Sequence, residues 1–270
     1  MIPRFNKDII RSIKKSKHLL LLLVIFLSTS AFVILKKAKP VLYIIGDSTV
    51  KNGDGSGKNG QWGWGTLLDG YFDTTKISVR NHAIGGRSTR TFITDDRWNR
   101  ILKELKKGDY VLIQFGHNDG GPLDDTARAR GTIKGIGTDS IEIYNPIRKI
   151  KEVVHTYGWY MRIYVKDAKS RGAIPIICSP VPRNNKKEGK IPVDNYAIWS
   201  QQIADETGTP FIPLNQMIAD DYNKMDSTKL NTLFYGDHTH TSRPGAVINV
   251  EKVVKGIMDL KKVKLKKYLL

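Results

Sequence analysis

Hydrophobic and polar positions alternate along this chain in two kinds of segment from residue 41 onward. Short apolar runs rich in β-branched and aromatic residues predict strands, and longer amphipathic stretches between them predict helices. The predicted strands are residues 41–45, 77–79, 110–115, 173–177 and 211–212. The predicted helices are residues 63–72, 89–105, 146–170, 193–206 and 243–260. Strand–helix alternation of this kind predicts an α/β fold with a central parallel sheet and helices on both faces.

The first 40 residues have a different pattern. Residues 19–35 contain no charge, follow six basic residues and precede Lys36, Lys37 and Lys39, which predicts a signal peptide or a membrane anchor. Small residues at 28–31 offer a cleavage site, whereas the apolar run resumes at 32–35 and reaches the lower limit for spanning a bilayer. A buried core helix fits less well because basic residues bracket the run. The basic residues before the run predict that the remainder is extracytoplasmic, either secreted or anchored to the membrane.

The net charge of +18 is concentrated at the two ends of the chain. Residues 1–40 carry nine basic and one acidic side chain, residues 251–270 carry seven and two, and the body between them carries 28 and 23. The body is therefore nearly balanced, and we predict no nucleic-acid partner. The lysine-rich tail is interpreted as a solvated helix end, with contact to an acidic surface as the alternative. The single cysteine, Cys178, excludes an intrachain disulfide and lies in an apolar run typical of a buried strand.

Chemically suggestive residues follow the first three predicted strands. Asp47 and Ser48 follow the first, Gly86 follows the second, and Asn118 follows the third. Ligand sites of open parallel sheets lie at the carboxyl ends of the strands, so these residues are expected to share one site. Long connections at 116–145 and 180–192 stand at the same edge and are typical of functional loops.

A serine becomes a nucleophile when a histidine takes its proton and a carboxylate orients that histidine. Asp237 and His240 lie three residues apart ahead of the last predicted helix, so the carboxylate can bond Nδ1–H while Nε2 faces Ser48. A helix N-cap beside a surface histidine is one alternative. A metal site formed with His238 is another, but no further ligand cluster is visible, so no metal is predicted.

Such a reaction also needs hydrogen-bond donors for the negative oxygen of its intermediate. The backbone N–H groups of Ser48 and Gly86 and the side-chain amide of Asn118 are the candidates for this oxyanion hole. The alternatives are an ordinary turn at Gly86 and an Asx-turn at Asn118.

The sequence resembles the SGNH (GDSL-type) hydrolases in GDST at 46–49, GHND at 116–119 and DHTH at 237–240. Within that group it is most similar to the rhamnogalacturonan acetylesterase branch, through NHAIGGRSTR at 81–90, GTIKG at 131–135, EVVHTYGWY at 152–160 and DHTHTS at 237–242. The resemblance runs from about residue 41 to residue 256 and makes 41–270 an SGNH-type hydrolase domain. It implies a three-layer flavodoxin-like fold and hydrolysis of acetyl esters on a pectic polysaccharide, without metal or organic cofactor.

The resemblance also implies a role for each motif residue. Ser48 is the nucleophile, His240 the general base and then acid, and Asp237 its orienting partner. The oxyanion donors are Ser48, Gly86 and Asn118.

Substrate contacts are expected from two groups of residues. Arg87, Arg90 and Arg183 follow strands near the site, and guanidinium groups suit the carboxylates of an acidic acetylated polysaccharide. Trp62 and Trp64 follow a glycine-rich loop and could stack on sugar rings, although a core position is the commoner role. Two alternative functions stay open, a lipase or aryl esterase on the same scaffold and a catalytically silent polysaccharide-binding module. Membrane contact is expected only through the N-terminal segment, if it is not cleaved.

Overall fold

This computed structural model describes residues 38–270, of which Lys39–Leu270 form one compact unit. The predicted signal or anchor segment lies outside the described residues. Within them, no helix has the length and apolarity needed to cross a membrane.

Within residues 38–270, seven strands form two sheets. The strands are β1 (Val41–Gly46), β2 (Ser78–Asn81), β3 (Tyr110–Gln114), β4 (Ser140–Asn145), β5 (Ile150–His155), β6 (Ile174–Cys178) and β7 (Phe211–Ile212). The main sheet has the order β2-β1-β3-β6-β7 with every pair parallel, and β4 and β5 form a separate antiparallel hairpin. Ignoring the hairpin, the main sheet has the flavodoxin-like order, as the resemblance implied.

Seven α-helices of the described part of the chain accompany the sheets. They are α1 (Thr89–Thr94), α2 (Arg97–Glu104), α3 (Tyr157–Ser170), α4 (Asn195–Thr207), α5 (Leu214–Asn223), α6 (Ser227–Thr232) and α7 (Arg243–Asp259). Short 3₁₀ turns lie at Trp64–Thr66, Leu68–Tyr71 and Lys264–Tyr268. The sequence pattern predicted neither α5 nor α6.

Successive side chains of the central strands enter two separate cores. Leu42 and Ile44 of β1 pack with α5, α7 and the first 3₁₀ turns, while Tyr43 and Ile45 pack with helices α1 to α4 on the opposite face. This alternation follows from the two-residue period of a strand, and burying both faces produces the predicted three layers. Cys178 is buried in the first core, and burial raises the pKa of its thiol well above the ordinary value.

Two predicted helices are wrong in their extent. Residues 63–72 form two 3₁₀ turns rather than one α-helix. The helix predicted for 89–105 is divided into α1 and α2 because Asp96 adopts a left-handed conformation, with φ of 60°. A non-glycine residue in that region interrupts helical hydrogen bonding.

The helix predicted for 146–170 is wrong in its first half. Residues 150–155 pair with Ser140–Asn145 as the hairpin, and α3 begins only at Tyr157, where the Thr156 side chain accepts the N–H of Trp159 at 3.1 Å. Asn145 closes the hairpin turn by accepting the N–H groups of Ile147 and Arg148 through its side chain. The run Val153-Val154 favours a strand, and this local signal outweighs the helical spacing.

The lysine-rich tail is only partly a solvated helix end. Helix α7 stops at Asp259, and the chain then returns against the body with Val263 and Leu265 buried among core residues. The lysines of the 3₁₀ turn alternate with these apolar side chains and remain exposed.

Candidate active site

Ser48 lies in the turn that follows β1, at the carboxyl edge of the main sheet. Gly46 ends that strand in tight contact with β3, because a Cβ there would lie 2.6 Å from the carbonyl oxygen of Gln114. The neighbouring Asp47 is fully buried, and its Oδ1 accepts the N–H of Thr49 at 2.9 Å and the hydroxyl of Thr49 at 2.8 Å. These bonds fix the turn and hold Ser48 half-buried at the edge of a cavity.

The loop before α7 brings a histidine and a carboxylate to this serine. His240 Nε2 lies 2.8 Å from Ser48 Oγ, and His240 Nδ1 lies 2.6 Å from Asp237 Oδ2. The other oxygen of Asp237 accepts the backbone N–H groups of Thr239 and His240, each at 2.7 Å. The three side chains therefore form one hydrogen-bonded series in which Asp237 fixes the orientation of the imidazole ring.

Hydrogen bonding keeps Asp237 ionised. Partial burial raises the pKa of its carboxyl, but the bonds from the backbone and ring of His240 and from the Thr239 N–H outweigh burial and lower the pKa below its ordinary value. An ionised carboxylate can only accept, so it holds the proton of the ring on Nδ1 and leaves Nε2 free to accept one from Ser48.

Three candidate donors belong to residues that line the same cavity as Ser48 Oγ. The backbone N–H groups of Ser48 and Gly86 donate to no acceptor among residues 38–270. The Asn118 side-chain amide donates one hydrogen to the carbonyl oxygen of Arg87 at 2.9 Å, which leaves its second N–H available. Gly86 has a φ of 76°, a conformation that favours glycine. Because Ser48, Gly86 and Asn118 all line the same cavity, their free N–H groups can bind an oxyanion there.

A second histidine–aspartate contact lies next to the turn of the nucleophile, and no sequence motif predicted a role for it. His117 Nδ1 lies 3.3 Å from Asp47 Oδ2, and His117 Nε2 lies 2.9 Å from the carbonyl oxygen of Val181. The buried ring thus ties the turn of Ser48 to the loop of Asn118. The signal in the sequence was its place inside GHND, directly before Asn118. His117 and the Thr49 hydrogen bonds also outweigh burial at Asp47 and lower the pKa of that carboxyl.

The cavity around these groups has a volume of about 660 Å³. Most of its polar wall is basic, with four arginines against one carboxylate, Asp95. The arginines are Arg87, Arg128, Arg130 and Arg183. Arg128 and Arg130 were missed by the sequence analysis, although both lie in the long connection predicted at 116–145.

The three arginines expected to contact substrate have different surroundings. Arg87 lines the cavity and pairs with Asp95 at 2.7 Å. Arg183 also lines it, but its guanidinium bonds to Thr239 and to the carbonyl oxygen of His117, so it connects the two loops that carry His240 and Asn118. Arg90 is fully buried in an ion pair and cannot reach a substrate, which corrects the expectation for that residue.

Neither tryptophan expected at the site lines the cavity. Trp64 is fully buried, and its indole N–H donates to Gln114 Oε1 at 2.8 Å, so the expectation that it stacks on a sugar is wrong. The Trp62 ring lies against Gly57 on one side and 5.7 Å from the guanidinium of Arg243. Both indoles are therefore occupied by contacts within the protein.

The described part of the chain contains no cluster of side chains that would form the alternative, a metal site. No group of three or more His, Cys, Asp or Glu side chains there is arranged to hold an ion. Asp237 and His240 instead bond to each other, and His238 is exposed beside them.

Comparison with known proteins places these residues in a family context. The family described as GDSL-like Lipase/Acylhydrolase matches residues 44–247. A rhamnogalacturonan acetylesterase of Emericella nidulans is 28% identical over 220 residues, covering 80% of this chain and 84% of that protein. The probable rhamnogalacturonan acetylesterase YesY of Bacillus subtilis is 30% identical over 227 residues, covering 81% of this chain and 93% of that protein.

Solved structures show the same fold. The crystal structure of protein YxiM of Bacillus subtilis superimposes with a TM-score of 0.65 at 27% identity over 82% of this chain, which spans 56% of that longer chain. The acetylxylan esterase Axe2 of Geobacillus stearothermophilus has a TM-score of 0.55 at 19% identity, covering 84% of this chain and 97% of its own. At that identity the likeness concerns the fold alone.

Proposed function

This chain belongs to the GDSL-like lipase/acylhydrolase family and is a carboxylic ester hydrolase, and on that premise we propose that it removes acetyl groups from an acidic pectic polysaccharide. Two relatives that match most of the chain are named rhamnogalacturonan acetylesterases, one of them as probable, which supports this substrate class. The proposed enzyme is exported by the N-terminal apolar segment, since pectic polymers lie outside the cell.

The observation that carries the proposed chemistry is the series from Ser48 through His240 to Asp237 at the wall of the cavity. Both distances, 2.8 Å from Ser48 Oγ to Nε2 and 2.6 Å from Nδ1 to Asp237 Oδ2, allow hydrogen bonds. This arrangement activates a serine because the proton of the hydroxyl has an acceptor at the moment of attack.

In the proposed mechanism, Ser48 Oγ attacks the acetyl carbonyl carbon while its proton passes to His240 Nε2. The carbonyl oxygen becomes an oxyanion that accepts from the N–H groups of Ser48, Gly86 and Asn118. When the carbon–oxygen bond to the sugar breaks, the sugar oxygen takes the proton from His240 and leaves as an alcohol. Water then attacks the acetyl-serine with His240 as base, and acetate and free Ser48 are released.

The charge of the cavity supports a carbohydrate substrate over a lipid. A lipase or aryl esterase needs an apolar wall for its acyl or aryl group, whereas this cavity is lined by four arginines and few apolar side chains. An anionic polymer is attracted to such a wall, and a neutral acyl chain gains little there.

The catalytic assignment is tested with three variants of the full chain. Ser48→Ala is expected to abolish acetate release, and Asp237→Asn to lower kcat by about 10⁴-fold, as in other Ser-His-Asp hydrolases whose aspartate is replaced. His238→Ala is the matched control, since its exposed side chain lies outside the series, and it should keep wild-type activity. Wild-type turnover by Ser48→Ala would refute the mechanism.

The substrate assignment is tested by acetate release from acetylated pectin, acetylated xylan and triacetin. We expect the highest kcat/KM on pectin and little hydrolysis of long-chain p-nitrophenyl esters. Higher kcat/KM on long acyl chains would favour the lipase alternative. A fluorophosphonate probe should label wild-type Ser48, and failure to label it would support a catalytically silent binding module.

A further inference from the structure

The four cavity arginines fall into two pairs. One pair is held by side chains or carbonyl groups of the protein, and the other pair has few such contacts within residues 38–270. Arg87 is paired with Asp95, and Arg183 is bonded to Thr239 and the carbonyl oxygen of His117. By contrast, neither Arg128 nor Arg130 forms an ion pair with any acidic side chain of residues 38–270. The only hydrogen bond of Arg130 there is from Nη1 to the carbonyl oxygen of Gly86, at 3.2 Å, and Arg128 forms none.

These two guanidinium groups share one electrostatic environment. Arg130 is half-buried, and its pKa is lowered first by burial and next by the positive charge of Arg128, while nearby carboxylates oppose this shift more weakly. Two like charges at the wall of one cavity repel each other, and desolvation adds to that cost for Arg130. An anion bound between them would compensate both costs through its attraction to the two guanidinium groups.

The loop that carries the pair is closed at its base and is bonded to α1, where Arg90 donates to the carbonyl oxygens of Leu123 and Gly131. At its base, Gly131 contacts Gly121 so closely that a Cβ would lie 1.9 Å from the Gly121 carbonyl oxygen, and the Gly131 N–H donates to the carbonyl of Pro122 at 3.0 Å. Between the two arginines, Ala129 is buried with a φ of 39°, a strained conformation for a residue with a side chain. The pair is therefore presented to the cavity by a fixed backbone.

We propose that Arg128 and Arg130 form a carboxylate-binding subsite that holds a hexuronate residue of the polymer beside the acetylated sugar. The inference rests on the proposed function, which it makes more specific. A guanidinium offers two parallel N–H donors to a carboxylate, and a pair of them matches a charged sugar better than a neutral one. Because Arg130 touches Gly86, the subsite lies next to the proposed oxyanion hole and acts on the same bound chain.

The subsite explains how this site would select an acidic polymer over acetylated xylose chains, which lack that carboxylate. Selection occurs through binding, so its loss should raise KM while kcat is kept. Arg128 is the better residue to change, since it contacts no described catalytic group and lies exposed at the cavity rim.

The experiment compares Arg128→Ala with Arg100→Ala in the full chain. Arg100 is an exposed arginine whose side chain faces Asp96 outside the cavity, so its replacement removes the same charge elsewhere. The substrates are an acetylated pectic oligosaccharide with free carboxylates, the same oligosaccharide with methyl-esterified carboxylates, and triacetin. Acetate release gives kcat and KM for each.

We expect Arg128→Ala to raise KM for the free-acid oligosaccharide about tenfold, the typical effect of losing one charge-assisted hydrogen bond. KM for the methyl-esterified oligosaccharide and for triacetin should stay unchanged, as should every constant of Arg100→Ala. Higher salt should raise the wild-type KM for the free acid alone. Deacetylated oligogalacturonate should inhibit triacetin hydrolysis by wild type, with a Ki about tenfold higher in Arg128→Ala.

Equal KM values of wild type for the free-acid and methyl-esterified oligosaccharides would overturn the subsite while leaving the esterase assignment intact. So would a KM increase of the same size in Arg128→Ala and Arg100→Ala. Absence of acetate release by wild type from all three substrates would instead overturn the proposed function, and the subsite with it.

Discussion

The carboxyl of Asp119 is enclosed in the protein one residue after Asn118. Its Oδ1 accepts the backbone N–H of Thr89 at 3.1 Å and also the Thr89 hydroxyl, while Oδ2 is buried without a partner among residues 38–270. Burial raises its pKa to about 7, and the nearby charge of Asp47 contributes, although the Thr89 bonds oppose both. The folded protein therefore keeps a proton on Asp119 at pH values where the unfolded chain has released it.

This buried acid predicts a pH-dependent difference in stability between wild type and Asp119→Asn. Between the ordinary value of 3.8 and about 7, only the folded state holds the proton, so this group's contribution to the free energy of unfolding falls as pH rises. The slope is at most about 1.4 kcal/mol per pH unit, and it levels off above the folded pKa. The neutral amide of Asp119→Asn does not titrate, so this group does not lower the stability of the variant as pH rises. The free energy of unfolding of Asp119→Asn relative to that of wild type should therefore increase from pH 4.5 to pH 8.

Urea unfolding at several pH values measures that difference. Thr75→Ser, at an exposed turn, is the control, and its free energy of unfolding should differ from that of wild type by the same amount at every pH. A constant offset between Asp119→Asn and wild type across the range would show that Asp119 is ionised in the folded state throughout.

At the scale of elements, the hairpin of β4 and β5 is attached to the body by a buried ion pair. Arg90 of α1 donates from Nε to Glu152 Oε1 at 2.8 Å and from Nη2 to Oε2 at 3.2 Å, and Asn145 donates to Oε2 at 2.6 Å. Arg90 also donates to the carbonyl oxygens of Gly131 and Leu123 in the loop of the proposed subsite. The hairpin turn carries Ile147 to the cavity wall, so this ion pair supports two walls of the site.

Replacing Glu152 by glutamine should destabilise the protein by about 3–5 kcal/mol, because the buried guanidinium of Arg90 loses its counter-charge. Glu142→Gln on the same hairpin is the matched control, since its ion pair with Lys151 is exposed and should contribute less than about 1 kcal/mol. Urea unfolding of both variants at pH 7 tests the contrast. An equal loss of unfolding free energy in the two variants would show that the buried ion pair of Arg90 stabilises the protein no more than the exposed pair does.

At the scale of the whole molecule, the basic residues fall into three groups along the sequence. The N-terminal segment and the C-terminal lysines hold most of the net charge of +18, and the arginines of the cavity are a smaller group within a nearly balanced body. The third group lies at the proposed site. The charge at the N-terminus flanks the predicted export segment, and it is predicted to set the orientation of that segment.

Two arginines placed in the apolar segment should block export of this protein. The double variant Leu21→Arg and Leu23→Arg adds about 2.5–3.5 kcal/mol per residue to the cost of membrane insertion. We expect wild type in the membrane or external fraction of a bacterial host and the variant in the cytosolic fraction, as measured by immunoblot. Leu21→Ile with Leu23→Ile keeps the apolar character and should behave as wild type. Cytosolic wild-type protein would contradict the prediction.

The sequence by itself determined the main parallel sheet because the signals for its strands are local and repeated. β-Branched apolar runs marked all five strands of the main sheet, and the rule that parallel strands end at one edge placed Ser48, Gly86 and Asn118 together. The residue spacing likewise placed Asp237 beside His240, since three residues on one loop allow their side chains to meet.

The tertiary structure alone decided features that depend on distant partners. Trp64 and Arg90 have the side chains expected of a binding site. Each is nevertheless buried, in contact with a residue more than 40 positions away in the sequence. Arg183 lines the cavity but is also held by the two loops that it joins, and residues 150–155 form a strand because β4 is available to pair with them. Arg128 and Arg130 became candidates only when the structure showed them at the cavity wall without an ion-pair partner among residues 38–270. Burial and charge compensation are properties of the assembled fold, and no local pattern encodes them.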